Sequence, residues 1–368
     1  MMKERILPLS LPKGRRIIAI SDIHGNLPYL EGLLDKLRFG EDDILFILGD
    51  FTEKGPRSLD TLRYIMALSE NYTVHTLCGN CDIWAPLFDG ELGNGPETVL
   101  SYMERKPYSL ARQMCREMGM EFSPAMDYEA LKKAVFENYG PEMDFLRSLP
   151  TLIETEDYVF VHGGVPENAT DAWDYMKFDR FMHRARPQKK WTIVGHWPVM
   201  LYHEDTVEAN PVFDYEKKII SIDGGCVLKD DGQLNALIIP EAGSVDFSFV
   251  AYDSFPTARV LEEQKASEKS WYIRWGDALV EVLERGEEFS HCRHKRTGYE
   301  MDILTRYLFG DGRQCEVNDC TDYVLPLQRG DIVSIVEVTS RGYFVKHNGI
   351  SGWYFGELER EARADIEV

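Results

Sequence analysis

The sequence lacks the apolar segments that would tie it to a membrane. No apolar run approaches the roughly 20 residues that a membrane-spanning helix needs. The first residues, MMKERILPLSLPKGRR, carry charges but no apolar stretch of the kind found in secretory signals. We therefore predict a protein with no membrane partner and a cytoplasmic location.

Basic residues are scarce relative to acidic ones. The chain has 41 Lys and Arg against 62 Asp and Glu, which gives a formal net charge of −21. Because binding to a nucleic-acid backbone needs a basic face, we predict no such binding. A local cationic or metal-bearing pocket inside an acidic shell is still compatible with this balance.

The number and spacing of the cysteines do not suggest a disulfide framework. The seven cysteines are odd in number and scattered over 368 residues, so we predict free thiols. Cys292, His294, Cys315 and Cys320 could in principle bind zinc, but their spacing matches no common zinc motif. Internal repeats and low-complexity segments are also absent, and the 44% hydrophobic content is that of an ordinary folded protein.

What the first half does contain is an alternation of β-prone runs and amphipathic stretches. Residues 16–21, 43–50 and 73–80 read as buried strands, and the stretches between them have helical spacing of apolar residues. This order predicts neighbouring parallel strands joined by right-handed crossovers. Residues 83–149 are predicted to be mostly helical and could form a cap beside a site. Further strands are predicted at 157–164, 191–196, 217–225 and 233–239.

The last third changes character. Residues 262–269 are charged and poor in large apolar side chains, which is typical of a linker. Residues 322–359 contain five short strand signals separated by turns, and this spacing predicts a small β-barrel. We therefore divide the chain into an α/β domain at 1–258, a connecting segment of unassigned type at 259–318, and a barrel at 319–368.

Six residues that suit metal ions stand at the ends of the predicted strands, each close to glycine. One strand-end Asp or His is more often a turn former or a surface residue, but six in this pattern are not explained that way. Oxygen and imidazole donors without thiolate suit manganese, iron or zinc. Asp50 could bridge two ions about 3.5 Å apart, as in two-metal hydrolysis. The six residues are Asp22, His24, Asp50, Asn80, His162 and His196.

The motifs SDIHG, GDFTEKG, GNCD, VHGG and GH, in this order, resemble those of the calcineurin-like metallophosphoesterases. Within that family they are similar to the bacterial phosphoprotein (serine/threonine) phosphatases, over roughly residues 16–240. The resemblance implies a four-layer α/β sandwich, with two mixed β-sheets flanked by helices, as the catalytic domain at 1–258. It also implies two divalent ions, manganese foremost and iron or zinc as alternatives. Asp22, His24 and Asp50 would hold the first ion, and Asp50, Asn80, His162 and His196 the second.

The sequence lacks the histidine that serves these phosphatases as the acid, because Cys81 stands in its place. The aspartate that orients this histidine falls on Glu53, and a phosphate-binding arginine falls on Lys54. Cys81 could donate a proton, act as an extra metal ligand or pack as a small apolar group. Glu53 is one methylene longer than aspartate and could itself approach the leaving group. Lys54 offers a point charge rather than a bidentate fork.

A second phosphate-binding arginine of the family corresponds to Arg180, with Arg184 and Arg186 close behind. A solvated basic helix face explains these three residues equally well. The tail resembles Src-homology-3-like barrels, which implies a peptide ligand in a groove lined by Tyr323, Trp353 and Tyr354.

The resemblance implies hydrolysis of a phosphomonoester by hydroxide activated between two metal ions. The substrate would be a phosphorylated protein, through phosphoserine or phosphothreonine, or a small phosphoester. Because the acid histidine is replaced by Cys81, a phosphodiester or a nucleotide polyphosphate is the alternative substrate. A non-catalytic metal-binding scaffold is the alternative from another functional class.

Overall fold

The computed structural model of the chain describes residues 2–360, which divide into two units. The first unit comprises the described residues up to Val199, Pro211–Leu228 and Gly232–Asp253. The second comprises Met200–Asn210, Lys229–Asp231 and the described residues from Ser254 onward. No helix among the described residues combines the length and the apolar character that crossing a bilayer requires.

The strands of the described residues are, in chain order, β1 (Ile6–Pro8), β2 (Arg16–Ile20), β3 (Asp43–Ile47), β4 (Thr73–Thr76), β5 (Leu152–Glu154), β6 (Tyr158–Val161), β7 (Trp191–Val194), β8 (Val207–Glu208), β9 (Val212–Asp214), β10 (Ile219–Ser221), β11 (Leu234–Ile239), β12 (Ser248–Tyr252), β13 (Thr257–Val260), β14 (Tyr272–Ile273), β15 (Leu279–Glu284), β16 (Phe289–His294), β17 (Glu300–Leu304), β18 (Gln314–Glu316), β19 (Cys320–Thr321), β20 (Ile332–Val338), β21 (Tyr343–His347), β22 (Ile350–Tyr354) and β23 (Leu358–Arg360). The α-helices are α1 (Leu27–Leu37), α2 (Ser58–Asn71), α3 (Trp84–Asp89), α4 (Pro96–Arg105), α5 (Leu110–Glu117), α6 (Tyr128–Asn138), α7 (Gly140–Ser148), α8 (Ala172–Met176) and α9 (Phe181–Arg184).

Two mixed sheets of the first unit pack face to face. One has the order β1-β5-β6-β7-β10-β9 and the other the order β12-β11-β2-β3-β4. Apolar side chains of both sheets share one core, in which the rings of Phe46 and Phe160 stack with centroids 3.8 Å apart. The sequence-based expectation of an α/β fold with two mixed sheets is thereby confirmed.

The strands β2, β3 and β4 run parallel and are connected by α1 and α2, as the apolar spacing predicts. Ile17 and Ala19 of β2 face the other sheet, whereas Ile18 and Ile20 pack against the helices. Because both faces of β2 are buried, its sequence is a continuous apolar run rather than an alternation. The buried face of α1 consists of the apolar residues Leu27, Leu30, Leu33, Leu34 and Leu37.

The segment between β4 and β5 is a helical insertion that contains α3, α4, α5, α6 and α7. Residues 83–149 were predicted to be mostly helical, and this prediction is confirmed. Buried side chains of the insertion, such as Met103 and Met114, belong to the core that also includes the helix-facing side of β2.

The second unit is built mainly from antiparallel strands. Its sheets have the orders β23-β13-β20-β21-β22-β8, β17-β16-β15-β18 and β14-β19. The stretch 271–320, which the sequence left unassigned, therefore forms β-strands. The six-stranded sheet is open, and it takes β8 and β13 from outside residues 319–368, so the predicted small barrel is not confirmed. Tyr354, expected to line a peptide groove, is instead fully buried and donates its hydroxyl to the carbonyl of Glu262.

Candidate metal centre

The six candidate ligands come together at one edge of the two sheets. Each follows the carboxyl end of a strand: β2, β3, β4, β6 or β7. Ligating atoms of His24, Asp50 and Cys81 lie within 4.8 Å of one another, and so do those of Asp50, His162 and His196. Asp50 belongs to both groups, which is the position that a bridging ligand requires.

The two oxygens of Asp50 face different histidines. Its Oδ1 lies 3.3 Å from His162 Nε2, and its Oδ2 lies 3.9 Å from His24 Nε2. Asp22 Oδ1 lies 3.7 Å from the same nitrogen of His24. These separations leave room for cations between the groups, so Asp50 could contact one ion with each oxygen.

Hydrogen bonds fix the orientation of each imidazole. The Nδ1 of His162 donates to the carbonyl of Leu48 at 2.8 Å, and the Nδ1 of His24 to that of Thr52 at 3.3 Å. Because a carbonyl only accepts, both rings keep the Nε2 lone pair for a cation. His196 uses the opposite nitrogen, since its Nε2 meets Asp179 Oδ1 at 2.7 Å. This arrangement leaves the Nδ1 of His196 for a cation.

Two of the predicted ligands have buried atoms that no described group satisfies. Asp22 Oδ1 and Asn80 Oδ1 are shielded from solvent and have no hydrogen-bond partner among the described residues, whereas the buried Nε2 of His162 lies 3.3 Å from Asp50 Oδ1. Leaving such a group unpaired costs about 1–3 kcal/mol each. The donor set is oxygen and imidazole nitrogen, which divalent metal ions accept. These residues therefore fit the two divalent ions expected from the sequence.

The backbone around the ligands is strained. Eleven described residues other than glycine have positive φ, and seven of these belong to or adjoin the centre. Each such position costs roughly 1–3 kcal/mol, so it persists only where the surrounding structure enforces it. Gly79 shows how tightly the loops pack, because a Cβ atom there would clash with the backbone of Asp50. The seven residues are Asp22, His24, Asp50, Glu53, Lys54, Arg180 and His196.

The centre contains groups with strongly perturbed protonation. Burial lowers the pKa of His162, but the carboxylates of Asp50 and Asp22 outweigh it and raise the pKa to about 9. Burial, supported by the charge of Lys54, lowers the pKa of His24 to about 3. Burial and the charge of His162 lower the pKa of His196 to about 4.

Cys81 belongs to the first group of candidate ligands, together with His24 and Asp50. Its backbone N–H donates to Asp50 Oδ1 at 2.7 Å, and its sulfur accepts from Asn80 Nδ2 at 3.3 Å. Burial and the nearby Asp50 raise the pKa of the Cys81 thiol well above its ordinary value. In this structure the residue is a half-buried thiol beside two candidate ligands.

Glu53 faces the helical insertion. Its carboxylate accepts hydrogen bonds from Trp84 Nε1 at 2.6 Å, the Tyr102 hydroxyl at 2.7 Å and the Leu110 N–H at 2.7 Å. Both oxygens are thus committed to α3, α4 and α5. A direct approach of Glu53 to a leaving group, as considered from the sequence, would require breaking these bonds.

Lys54 and Arg180 occupy different positions. The side chain of Lys54 reaches into the centre, where its Nζ lies 3.2 Å from His24 Nε2. Arg180 is exposed, and its guanidinium carbon lies 5.5 Å from the ring centre of Trp197, the residue after His196. Lys54 therefore places its charge inside the centre. Arg180 lies beside Trp197, the residue that follows the candidate ligand His196.

Sequence reasoning missed three buried or bridging carboxylates. Asp82 accepts hydrogen bonds from the N–H groups of Asp50 at 2.6 Å, Thr52 at 3.0 Å and Gly79 at 3.0 Å, and so joins two motif loops. Asp179 orients His196, and Asp223 is fully buried. The motifs GNCD, FDR and IDGG contain these residues, but only the folded structure shows what their side chains contact.

Comparisons with known proteins agree with these motifs. The model of the family described as calcineurin-like phosphoesterase matches residues 15–223. Proteins named bis(5'-nucleosyl)-tetraphosphatase, symmetrical, from Salmonella arizonae and Salmonella typhimurium are each 28% identical over 163 residues, which is 40% of this chain and 56% of each relative. The chain thus spans little more than half the length of these curated relatives.

Two solved structures are similar at lower identity. A protein serine/threonine phosphatase from Saccharomyces cerevisiae has 12% identity and a TM-score of 0.39, covering 68% of this chain and 84% of that one. A metallophosphoesterase from Sphaerobacter thermophilus has 19% identity and a TM-score of 0.37, covering 66% and 89%.

Proposed function

Because the chain belongs to the calcineurin-like phosphoesterase family, we propose that it is a metal-dependent enzyme that hydrolyses phosphoesters. One observation carries this proposal: the candidate ligands at five strand ends converge, and buried oxygens of Asp22 and Asn80 have no hydrogen-bond partner among the described residues. Bound metal ions would satisfy these atoms, and turnover then separates an enzyme from a metal-binding scaffold.

The residues that would hold two divalent ions are those expected from the sequence. Asp22, His24 and Asp50 would hold the first, and Asp50, Asn80, His162 and His196 the second. We propose manganese, with iron or zinc as alternatives, because the donors are oxygen and imidazole nitrogen. When bound, two such ions lower the pKa of water and neutralise phosphate oxygens.

The cations of the chain would bind the phosphate group. Lys54 Nζ lies beside His24 and would offer its charge to a phosphate oxygen near the first ion position. Arg180 would approach from the side of Trp197, where a guanidinium can give two parallel hydrogen bonds to phosphate. We propose binding and orientation of the phosphate, rather than proton transfer, as the role of both residues.

The substrate class follows from what the leaving group needs. An alkyl phosphomonoester, such as phosphoserine, expels a basic oxygen and benefits from a general acid. A nucleoside polyphosphate expels a phosphate oxygen, whose last pKa is only about 6, and so needs little protonation. Because Cys81 stands where the resembled phosphatases have their acid histidine, we favour the nucleoside polyphosphate. The relatives named bis(5'-nucleosyl)-tetraphosphatase support this choice, and the phosphomonoester is the alternative.

Metal analysis combined with a substrate panel tests the proposal. We expect the manganese-loaded protein to bind two ions per chain and to hydrolyse an aryl phosphate, whereas Asp50→Asn should lose metal and activity together. Bis(5'-nucleosyl) tetraphosphate and a phosphoserine peptide then decide the substrate class. Metal binding without turnover of any of these esters would show a scaffold, and an unchanged metal content in Asp50→Asn would refute the two-metal centre.

Two further predictions concern the location of the protein and a ligand of its C-terminal strands. A cytoplasmic location and a peptide ligand of the C-terminal strands rest on the sequence alone. Both stay predictions.

A further inference from the structure

The first unit contains a cavity of about 480 Å³, which is lined by residues of the segments 165–168, 174–178 and 184–188. Its lining contains Lys177, Arg184 and Arg186 together with Phe178 and Asn168. We call this cavity the basic pocket. Three cationic side chains in one pocket are notable in a chain with a net charge of −21. Its volume lies within the range of roughly 300–1,000 Å³ that is usual for small-molecule sites.

One carboxylate connects the basic pocket to the metal centre. Asp179 Oδ1 lies 2.7 Å from the Nε2 of His196 and 3.9 Å from the Nζ of Lys177. The backbone carbonyl of Asp179 also accepts a hydrogen bond from Arg184 Nη1 at 3.2 Å. One residue, Asp179, thus contacts both the candidate ligand His196 and two residues that line the basic pocket.

The acidic residues of the pocket do not cancel its cations completely. Asp174 is engaged by Thr170, whose N–H and hydroxyl donate to it at 2.7 Å and 2.9 Å. Glu167 pairs with Arg186 at 2.8 Å, and both side chains are largely exposed. Arg184 has five N–H donors, and the described structure uses one of them in a hydrogen bond. Arg184 is thus the cation best placed to meet an anion, and Lys177, which lies 3.9 Å from Asp179, would share its charge between that carboxylate and the anion.

An aromatic ring provides the second recognition element. The guanidinium carbon of Arg184 lies 4.4 Å from the ring centre of Phe178, and this ring packs against Phe181 with centroids 5.3 Å apart. A planar cation over a partly buried ring offers a surface on which a nucleobase can stack. The pocket therefore combines charges that suit phosphate with a planar surface that suits a base.

We propose that the basic pocket binds the leaving nucleotide of a nucleoside polyphosphate whose attacked phosphorus lies at the metal centre. This inference rests on the proposed function and adds the position of the second half of the substrate. In the reaction the water oxygen bonds to the attacked phosphorus, and the bond from that phosphorus to the bridging oxygen breaks. The bridging oxygen stays with the phosphate of the leaving nucleotide, which lies in the pocket. The protons of water pass to solvent.

A phosphopeptide explains the pocket less well. Its single phosphate would lie at the metal centre, and no second anionic group would meet Lys177 and Arg184. A nucleoside polyphosphate carries further phosphates beyond the attacked phosphorus, so each cation has a partner.

Kinetics of matched variants test the pocket. We expect Arg184→Gln to raise the KM for bis(5'-nucleosyl) tetraphosphate roughly tenfold, and to raise that for an aryl phosphate by a much smaller factor. Glu167→Gln should lower the KM for the tetraphosphate, because it releases Arg186, and a misfolded variant could not show such a gain. Lys189→Gln is the control, since Lys189 is an exposed cation of the same segment that does not line the pocket.

Binding of ADP to the metal-free full-length chain, measured by calorimetry, tests the pocket without turnover. We expect Arg184→Gln to weaken and Glu167→Gln to strengthen ADP binding. If the chain hydrolyses aryl phosphate but neither variant changes the KM for tetraphosphate or the affinity for ADP, the pocket proposal is refuted and the proposed function stands. Equal KM increases for tetraphosphate and a phosphoserine peptide in Arg184→Gln would also refute it. Absence of any turnover would refute the proposed function and with it the leaving-nucleotide role, even if ADP binding that Arg184→Gln weakens showed that the pocket binds nucleotides.

Discussion

At Cys81, the backbone rather than the side chain holds the candidate ligand Asp50 in place. The backbone N–H of Cys81 donates to Asp50 Oδ1, and this bond does not depend on the side chain. The position can therefore change while Asp50 keeps its place. A cysteine at the position where the resemblance expects an acid histidine is compatible with a substrate that has a good leaving group.

Two substitutions at this residue separate the possible roles of the thiol. We expect Cys81→Ser to change the turnover of an aryl phosphate little, because such a leaving group needs little protonation. Cys81→His should raise activity on alkyl phosphomonoesters relative to aryl phosphates, by up to the ~10²–10⁴ that general acid catalysis contributes. A collapse of activity in Cys81→Ser, with the metal content unchanged, would instead make the thiol a working acid.

Asp179 acts on the centre through His196, so it is a positioning residue. Outer carboxylates that orient a ligating histidine typically change metal affinity or activity by about 10–100-fold. We expect Asp179→Asn to weaken binding of the second manganese ion by a factor in this range, measured by metal titration. Asp174→Asn is the matched control, because this carboxylate accepts hydrogen bonds from Thr170 and contacts no ligand. Equal metal affinities in the two variants would contradict the role.

At the scale of the elements, the helical insertion is joined to the metal-site loop by Glu53. One buried carboxylate accepts hydrogen bonds from the first residues of α3 and α5 and from Tyr102 of α4. A change in the packing of these helices would therefore be transmitted to Lys54, the next residue in the chain. The longer side chain of glutamate, compared with aspartate, serves this contact.

Weakening the hydrogen bonds of Glu53 should destabilise the helical insertion more than the sheets. Glu53→Gln replaces one acceptor oxygen by an N–H₂ group that faces donors, and we expect it to lower the free energy of unfolding by about 1–3 kcal/mol. Hydrogen exchange should increase across α3, α4 and α5 and stay unchanged in β2 and β3. Tyr102→Phe removes a single donor and should have a smaller effect in the same helices. Hydrogen exchange that increases uniformly over the first unit would show that Glu53 does not act mainly on the helical insertion.

The elements that sequence patterns predicted are those whose burial depends on local spacing. The strands β2, β3 and β4 are apolar on both faces, and α1 presents leucines at helical intervals, so each can be recognised alone. The open sheet of the second unit could not be foreseen, because β8 pairs with β22 across more than a hundred residues. The candidate ligands could be proposed from the sequence because motif and strand end coincide. Asp82 and Asp179 were not, since their roles depend on contacts between distant segments.

For the whole molecule, the metal centre is a cluster of charges that must be balanced when no ion is bound. In the metal-free protein, His162 can provide part of this balance, because Asp50 and Asp22 raise its pKa to about 9. The contribution of cationic His162 to the stability of the fold is fully present at pH values below the ordinary histidine pKa of about 6.5. This contribution is lost as the pH rises through the folded-state pKa.

Asp82, His24 and His196 titrate at lower pH than His162. Burial, followed by the charge of Asp50, raises the pKa of Asp82 to about 7, so its effect on stability is complete near that pH. The lowered pKa values of His24 and His196, about 3 and about 4, affect stability only below the ordinary histidine value. Between pH 7 and 9, His162 therefore dominates the titration of these ligands.

Metal binding should reverse this pH dependence. The proposed second ion would need the neutral imidazole of His162, so it should displace a proton at pH 7 to 8 and bind more tightly as the pH rises. We expect the melting temperature of the metal-free chain to fall from pH 7 to 9, while the increase caused by manganese grows over the same range. His162→Asn should flatten both trends, whereas His75→Gln, a substitution in β4 outside the ligand set, should leave them intact. A metal-induced increase that does not change with pH, without proton release in a calorimetric titration, would show that His162 is neutral before the ion binds.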